Sequence, residues 1–424
     1  MTQVHSAAKI VYQTYIKRFF IHSLSLGLKI PKAHVYVIIP VYAEDRLPET
    51  LSSLDQTLPS QIEICVILVI NDKESDPNAI RNLATENFEQ ALEFKFSTPG
   101  FQKVVLDARN LEGKNAGVGL ARKMGMDAVI ASKVDCDDNP WLVCLDADCR
   151  VSERYFVEME NQLVHSYVQV AVFGFSHLPD QIEDENLKEG ILQYELFLEY
   201  YRLGLKSAGF PFFNHTVGSS MACTAVAYAK SGGMNQRKAG EDFYFLHKLF
   251  PNYESIEIPE LLVFPSSRIS ERVPFGTGRF QKKWLENGLT RWSTYAPQIF
   301  ELMEVFIRES MIYINDELEE EISFQEFSTK HNKAELWLEI SFSREKIENS
   351  KRSSPNSENR KKAFFQFFDG FMALKFVHFF QPFFQSIYVE EAVGLLMPEC
   401  YSLQSITEKV TFIRKFLASE GTHD

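Results

Sequence analysis

The sequence predicts an α/β protein in which helices flank a sheet, followed by a helical C-terminal region. Three observations indicate this class. Short runs of β-branched residues end at polar residues, segments with helical spacing lie between these runs, and the pattern becomes helical from about residue 283. Alternating strand and helix patterns are typical of a doubly wound sheet. A chain of 424 residues allows one large domain with additions, or two domains.

The first elements along the chain are a helix and two strands. Residues 1–30 mix apolar and basic positions at near-helical spacing, which predicts a helix. His34–Tyr42 and Gln61–Ile70 read as buried strands of a parallel sheet, with a helix beginning at Leu47 between them. Phe101–Asp107 predicts a third strand.

A helix over Ala116–Ile130 and a strand over Trp141–Leu145 continue the alternation. In such sheets ligands bind beyond the carboxyl ends of the strands. Polar side chains collect at these ends, namely Tyr42, Glu44, Asp72, Asp146 and Asp148. We therefore expect one shared cleft.

The remaining chain predicts the domain organisation. We expect an N-terminal helical extension over 1–30, an α/β domain over 31–282 and a helical region over 283–424. The polar segment 351–362 reads as an exposed loop or linker. The most apolar tract, Phe371–Val389, is interrupted by polar residues and proline, so we expect packed core rather than a membrane span.

Composition restricts the partners. A net charge of −13 disfavours nucleic acid, because surfaces that follow phosphates are usually basic. The six cysteines form no CxxC pair, and no secretory signal is evident. We expect reduced cysteines and a cytoplasmic protein without a transmembrane span, although peripheral contact with a membrane stays open.

Two acidic pairs are the candidate chemical groups. Asp146 and Asp148 follow the Trp141–Leu145 strand, and two hard oxygen donors suit Mg²⁺ or Mn²⁺. Alone, such a pair can equally be a solvated turn. Glu241 and Asp242 begin an amphipathic stretch, where they either cap a helix or act in catalysis.

The order of these motifs resembles that of family 2 glycosyltransferases of the GT-A type, which have a Rossmann-like mixed sheet and use nucleotide-diphospho-sugars. Val37–Tyr42 with Glu44 is similar to the opening strand of that family, Val69–Asp72 to its second strand, and Gly113–Gly125 to the segment before its metal motif. The Leu142–Asp148 strand and acids match the metal motif itself, and Gly240–Leu246 matches the acidic motif before a helix.

The resemblance implies a role for each matched residue. Contacts to the nucleotide and diphosphate are implied for Pro40, Tyr42, Glu44, Asp72, Lys114, Arg122 and Asp146. Asp146 and Asp148 would bind Mn²⁺ or Mg²⁺, and Asp242, beside Glu241, would be the general base of an inverting transfer. The co-substrate would be a UDP- or GDP-sugar.

Two further segments extend the candidate site. Arg268, Arg272 and Arg279 surround a Phe-Gly-Thr-Gly turn, which we interpret as a mobile lid over the phosphates, with surface ion pairing as the alternative. Gly218, Ser219 and Ser220 would shape the acceptor side, or form an ordinary loop before a strand.

Two departures from the family pattern restrict the prediction. The Gln-x-x-Arg-Trp motif of processive synthases is not present at Arg291-Trp292, which favours single additions. No histidine lies between His247 and His331, so we expect a metal site with two carboxylates. The acceptor could be a cell envelope glycan, a lipid-linked sugar or a small metabolite. A nucleotidyltransferase and a catalytically silent nucleotide-sugar-binding scaffold are the alternatives.

Overall fold

The computed structural model describes residues 5–20, 29–111, 117–235, 240–270, 276–315 and 324–419. These residues form two compact units. Unit 1 comprises Met1–Gln181 and Thr216–Lys282, and unit 2 comprises Ile182–His215 and Lys283–Asp424. Among the described residues, no helix is both long enough and apolar enough to cross a membrane.

Unit 1 contains a mixed sheet of eight strands. Their bounds are β1 (Val35–Val41), β2 (Ile64–Lys73), β3 (Phe101–Leu111), β4 (Trp141–Cys144), β5 (Arg150–Val151), β6 (Val170–Phe175), β7 (Met221–Thr224) and β8 (Ser255–Phe264). The strand order is β3-β2-β1-β4-β7-β6-β8-β5. Two short strands of unit 2, β9 (Ser293–Thr294) and β10 (Ile387–Tyr388), form a separate antiparallel pair.

The first four strands are parallel and define the edge that carries the candidate site. β1 pairs in parallel with both β2 and β4, and β2 pairs in parallel with β3. Every residue of β1 and β4 is buried, which explains their uninterrupted apolar sequences. β7 is antiparallel to β4 and to β6, so the sheet is mixed.

The helices lie in both units. In the described chain they are α1 (His5–Phe19), α2 (Leu47–Asp55), α3 (Asn78–Glu93), α4 (Val118–Ser132), α5 (Tyr155–Met159), α6 (Glu185–Ser207), α7 (Ala225–Lys230), α8 (Glu241–Leu249), α9 (Thr277–Glu286), α10 (Gln298–Ile314), α11 (Gln325–Lys330), α12 (Ala334–Ile340), α13 (Ser343–Arg352), α14 (Ser357–Phe367), α15 (Gly370–Phe380), α16 (Val389–Leu396) and α17 (Ile406–Ser419). The predicted class, a mixed sheet flanked by helices with a helical C-terminal region, is confirmed.

Unit 2 is helical and has an aromatic core. The ring of Phe306 lies 5.0 Å from that of Phe368 and 5.8 Å from that of Phe376, measured between centroids. The apolar tract that includes α15 is packed in this core as predicted, since Phe376 and Phe380 are fully buried. The domain boundaries drawn from the sequence stay a prediction.

The polar segment 351–362 differs from the loop expected for it. Helix α13 ends at Arg352 and helix α14 begins at Ser357, so only residues 353–356 lie between the two helices. The segment is polar since both helices present these residues to solvent, and Asn356 caps α14 by accepting a hydrogen bond from the Asn359 backbone N–H.

Candidate active site

The predicted metal pair lies directly after β4, at the carboxyl edge of the parallel strands. Two hydrogen bonds fix the turn that carries it. The Cys149 backbone N–H donates to the Asp146 carbonyl at 3.1 Å, and the Thr50 hydroxyl donates to the Ala147 carbonyl at 2.7 Å. One carboxylate oxygen each from Asp146 and Asp148 and the Cys149 sulfur lie within 4.8 Å of one another. The turn therefore brings both carboxylates toward one point.

The donor set of this turn fits a hard divalent cation. The side chains of Asp146 and Asp148 are 38% and 26% exposed, so a hydrated ion can reach them. Burial raises the pKa of the Cys149 thiol well above its ordinary value, and the neighbouring Asp148 and Asp146 add to this effect. A protonated thiol hydrogen-bonded to Ser219 is a poor ligand for Mg²⁺ or Mn²⁺. The two carboxylates would bind such an ion and leave positions for phosphate and water.

Arg122 connects the metal pair to the second acidic pair. Its side chain is 2% exposed on α4 and forms ion pairs with Asp146 and Glu241. Burial lowers the pKa of Arg122, but the charges of Asp146 and Glu241 outweigh burial and keep the pKa above its ordinary value. A permanently charged guanidinium thus links Asp146, 24 positions after Arg122 in sequence, to Glu241, which is 119 positions after it.

The second acidic pair opens α8. Glu241 is buried, and its pKa rises to about 7 because burial, together with the charge of Asp242, outweighs the opposing effect of Arg122. Burial also raises the pKa of Asp242, although the charge of Arg122 acts in the opposite direction. The Asp242 carboxylate accepts a hydrogen bond from the Phe243 backbone N–H at 2.8 Å, as at a helix N-terminus. Helix capping and a role in catalysis are therefore compatible at Asp242.

Gly218 lies against both charged groups. A Cβ atom at this position would be 2.6 Å from Nη1 of Arg122 and 2.8 Å from Oδ2 of Asp242. Since real Cβ atoms essentially never come so close, the position requires glycine for the present arrangement. Arg122, Asp146, Glu241, Asp242 and Gly218 are called the Arg122 cluster below.

Arg268 forms a second cluster on the other aspartate. Its guanidinium donates to Glu44 through both terminal nitrogens, to Asp45 at 2.8 Å, and forms an ion pair with Asp148 at 3.1 Å. Glu44 is buried, and Arg268 is 23% exposed. This Arg268 cluster joins the loop after β1 to the metal pair.

The residues predicted to contact the base follow β1 and β2. Pro40 is a buried residue of β1, and Tyr42 is partly buried with the Lys73 ammonium 5.7 Å from its ring centroid. Asp72 is buried in β2, and its Oδ1 accepts a hydrogen bond from the Asn110 backbone N–H at 2.5 Å. Asp72 thus contacts the end of β3.

The other predicted residues lie in varied places. Ser220 is fully buried, and its hydroxyl has no hydrogen-bond partner among the described residues. Arg279 is exposed in the first turn of α9. Lys114 and Arg272 lie outside the described residues. The structure adds Cys149 to the site, where its side chain is hydrogen-bonded to that of the predicted residue Ser219.

Comparisons with known proteins give a weak result. No family model and no curated protein matches the chain. Among solved structures, S. aureus TarS 1-349 in complex with UDP-GlcNAc is 11% identical, covering 78% of this chain and 89% of that chain with a TM-score of 0.39. A mannosyltransferase from Pyrobaculum calidifontis in complex with GDP-Man and Mn²⁺ is 12% identical, covering 100% and 97% with a TM-score of 0.36. At TM-scores below 0.5, neither similarity supports an inference about this chain.

Proposed function

We propose that the chain is a glycosyltransferase that transfers a sugar from a nucleotide-diphosphate donor to an acceptor hydroxyl. The observation that supports this most is the Arg122 cluster. In it, Asp146 of the metal pair and the buried Glu241 of the acidic pair on α8 form ion pairs with one guanidinium. Metal-assisted loss of a diphosphate and deprotonation of a hydroxyl need these two groups close together.

The donor side of the site follows from the metal pair. Mn²⁺ or Mg²⁺ bound by Asp146 and Asp148 would neutralise negative charge that develops on the diphosphate leaving group. Glu44 and Asp72, with Pro40 and Tyr42, would contact the nucleotide. Arg268, Arg272 and Arg279 would contact phosphates because the arginine fork suits phosphate oxygens, and Lys114 would do so as the family resemblance implies.

The acceptor side centres on Asp242. Its carboxylate would take the proton from the acceptor hydroxyl as the oxygen attacks the anomeric carbon from the face opposite the diphosphate, which inverts the configuration. The raised pKa of Asp242 favours this role, because a stronger base accepts a proton more readily. Gly218, Ser219 and Ser220 would border the acceptor, and a single addition is expected.

The test combines binding and turnover. Calorimetry with UDP- and GDP-sugars, each with Mn²⁺ or Mg²⁺, should show donor binding that requires the ion. Asp148→Ala should abolish the ion-dependent binding of the donor. Asp242→Asn should bind donor normally but lower kcat about 10²- to 10⁴-fold. Asp135→Asn is the matched control, since that side chain is 84% exposed on the surface.

The outcomes separate the parts of the proposal. A wild-type protein that binds no nucleotide-sugar with either ion is not a glycosyltransferase of this kind. Full turnover in Asp242→Asn would refute only the assignment of Asp242 as the general base. Donor binding by the wild type without a divalent ion would refute only the proposed metal dependence.

A further inference from the structure

Four large apolar side chains of unit 2 are exposed on one stretch of its surface. Leu336 and Ile340 are 43% and 51% exposed and lie one turn apart on α12. Phe342 follows α12 directly and is 64% exposed, and Phe383 is 44% exposed. These four residues are called the apolar patch below. Single exposed apolar residues are ordinary, whereas a group of them marks a surface that binds something.

Ring contacts place Phe383 beside α12 and join it to the rest of the apolar patch. The ring of Phe379 lies 5.5 Å from that of Trp337 on α12 and 6.0 Å from that of Phe383, measured between centroids. The Lys333 ammonium lies 5.8 Å from the ring centroid of Phe383. Because Lys333 precedes Leu336 by three residues at the start of α12, these side chains share one side of the helix. The apolar patch is therefore one surface.

The backbone at Phe342 holds this ring outside the core. Its φ of 54° lies in the left-handed region, which bulky residues rarely adopt. The next residue, Ser343, is fully buried, and the Phe342 carbonyl accepts a hydrogen bond from the Lys346 backbone N–H at 3.0 Å in the first turn of α13. A strained and exposed phenylalanine contributes little to the stability of the fold, which indicates an external partner.

Basic residues accompany the apolar patch. Residues 330–362 contain nine lysines and arginines and five acids, in a chain whose net charge is −13. Lys346 is exposed one turn after Phe342, and the Lys333 ammonium lies near the Phe383 ring. Helix α13, which carries Lys346, packs against both α12 and the basic start of α14. This part of an acidic chain therefore suits a partner that is apolar beneath an anionic surface.

We propose that the apolar patch docks unit 2 on the surface of a bilayer that contains anionic lipids. The phenylalanine, leucine and isoleucine side chains would enter the boundary between headgroups and acyl chains. The lysine ammonium groups around them would contact lipid phosphates. The inference is independent of the proposed function, because it requires neither a nucleotide-sugar nor a metal ion.

The lysines favour a bilayer over a protein partner. Protein interfaces are depleted of lysine and glutamate relative to the rest of a protein surface. At a bilayer, by contrast, a lysine can lay its apolar stem along the hydrocarbon boundary while its charged end stays among the headgroups. On α12, Glu335 pairs with Arg344 at 2.9 Å, and Glu339 is exposed next to Ile340. Glu339 should oppose docking on anionic lipid, which provides a test of the charge argument.

Co-sedimentation of the full chain with lipid vesicles measures docking directly. Vesicles of phosphatidylcholine with about one-third phosphatidylglycerol should bind the protein at least about tenfold more tightly than vesicles of phosphatidylcholine alone. Added salt should weaken the binding to the anionic vesicles, because it screens the attraction between lysines and lipid phosphates. Equal affinity for both kinds of vesicle would refute the role of the basic residues.

Variants of exposed residues test the contact surface without disturbing the core. Phe342→Ser and Ile340→Ser should each weaken vesicle binding at least about fivefold through loss of apolar contact. Lys346→Gln should weaken it about fivefold, and Glu339→Gln should strengthen it by removing repulsion from the lipid phosphates. Tyr167→Ser is the matched control, because Tyr167 is 94% exposed in unit 1 and lies outside the apolar patch.

Three further results would overturn the inference. A wild-type protein that does not bind the anionic vesicles would refute docking. Unchanged binding in both folded serine variants would refute the apolar patch as the contact. Analytical ultracentrifugation without vesicles gives the third result, because a dimer that Phe342→Ser converts to a monomer would assign the patch to a second copy of the chain. Each of these results leaves the proposed function intact, since binding of nucleotide-sugars tests that separately.

Discussion

Replacing Glu241 by glutamine should stabilise the protein at neutral and alkaline pH. Glu241 is buried, and its pKa rises from 4.5 to about 7, so the fold favours the protonated carboxyl even beside Arg122. An acid with a raised pKa destabilises the fold when it ionises. This destabilisation of the folded state is absent below about pH 4.5 and reaches its full value above about pH 7.

The magnitude follows from the same shift. A rise from 4.5 to about 7 corresponds to about 3 kcal/mol, which is the expected stabilisation by Glu241→Gln at pH 8. Because glutamine imitates the protonated acid, the stabilisation should fall to about 2 kcal/mol at pH 6 and disappear near pH 4.5. Arg122 keeps Asp146 as a partner in this variant, so no unpaired buried cation is created.

Urea unfolding at several pH values between 4.5 and 8 measures this prediction. Glu153→Gln is the control, since Glu153 is exposed and its replacement should not change the pH dependence. If the free energies of unfolding of wild type and Glu241→Gln differ by the same amount at every pH, or if wild type is more stable at pH 8, the reasoning about Glu241 is wrong.

Two glycines provide further predictions. Gly218→Ala should lower kcat for sugar transfer at least about tenfold at nearly unchanged donor affinity, because the new methyl group would displace Arg122 or Asp242. Measurement of kcat together with the donor Kd tests this, and an unchanged kcat would contradict it. Gly204→Ala should destabilise the fold by about 1–3 kcal/mol, since the added Cβ would lie 2.5 Å from the Phe300 ring; thermal unfolding measures it, and an unchanged Tm would contradict it.

The parallel half of the sheet could be predicted from the sequence because local pattern determines it. The predicted Trp141–Leu145 strand is β4 (Trp141–Cys144), and the predicted Phe101–Asp107 strand is the first part of β3. Buried parallel strands are continuous apolar runs, so they are visible in one dimension. The polar residues that end these runs were placed at the correct edge for the same reason.

For the other half of the sheet, the sequence indicated only a strand after Ser220, as one of two interpretations of residues 218–220. β7 has four residues and is held between β4 and β6 by antiparallel pairing. Such a short strand depends on partners far away in sequence rather than on its own pattern. The long helix α6 was likewise not assigned, although Asp184 caps it by accepting hydrogen bonds from the backbone N–H groups of Asn186 and Leu187.

In the candidate site, too, features set by local sequence could be predicted, and those set by contacts between distant residues could not. Motif order indicated which acids belong together, but not that Arg122 would pair with both Asp146 and Glu241, since these partners are 24 and 119 positions away. The raised pKa of Glu241 could not be predicted either. It depends on burial, and burial at the start of a helix follows from tertiary packing rather than from the acidic pair itself.

The two arginines on the metal pair differ in a way that matters for cation binding. Arg122 is 2% exposed, and moving it would leave the buried Glu241 without a counter-ion, which is strongly unfavourable. Arg268 is 23% exposed and could release Asp148 while it keeps Glu44 and Asp45 as partners. A divalent cation at the metal pair would therefore displace Arg268 from Asp148 and leave Arg122 in place. Since Arg268 also holds Glu44, occupation of the metal pair and the position of the loop after β1 are coupled through one side chain.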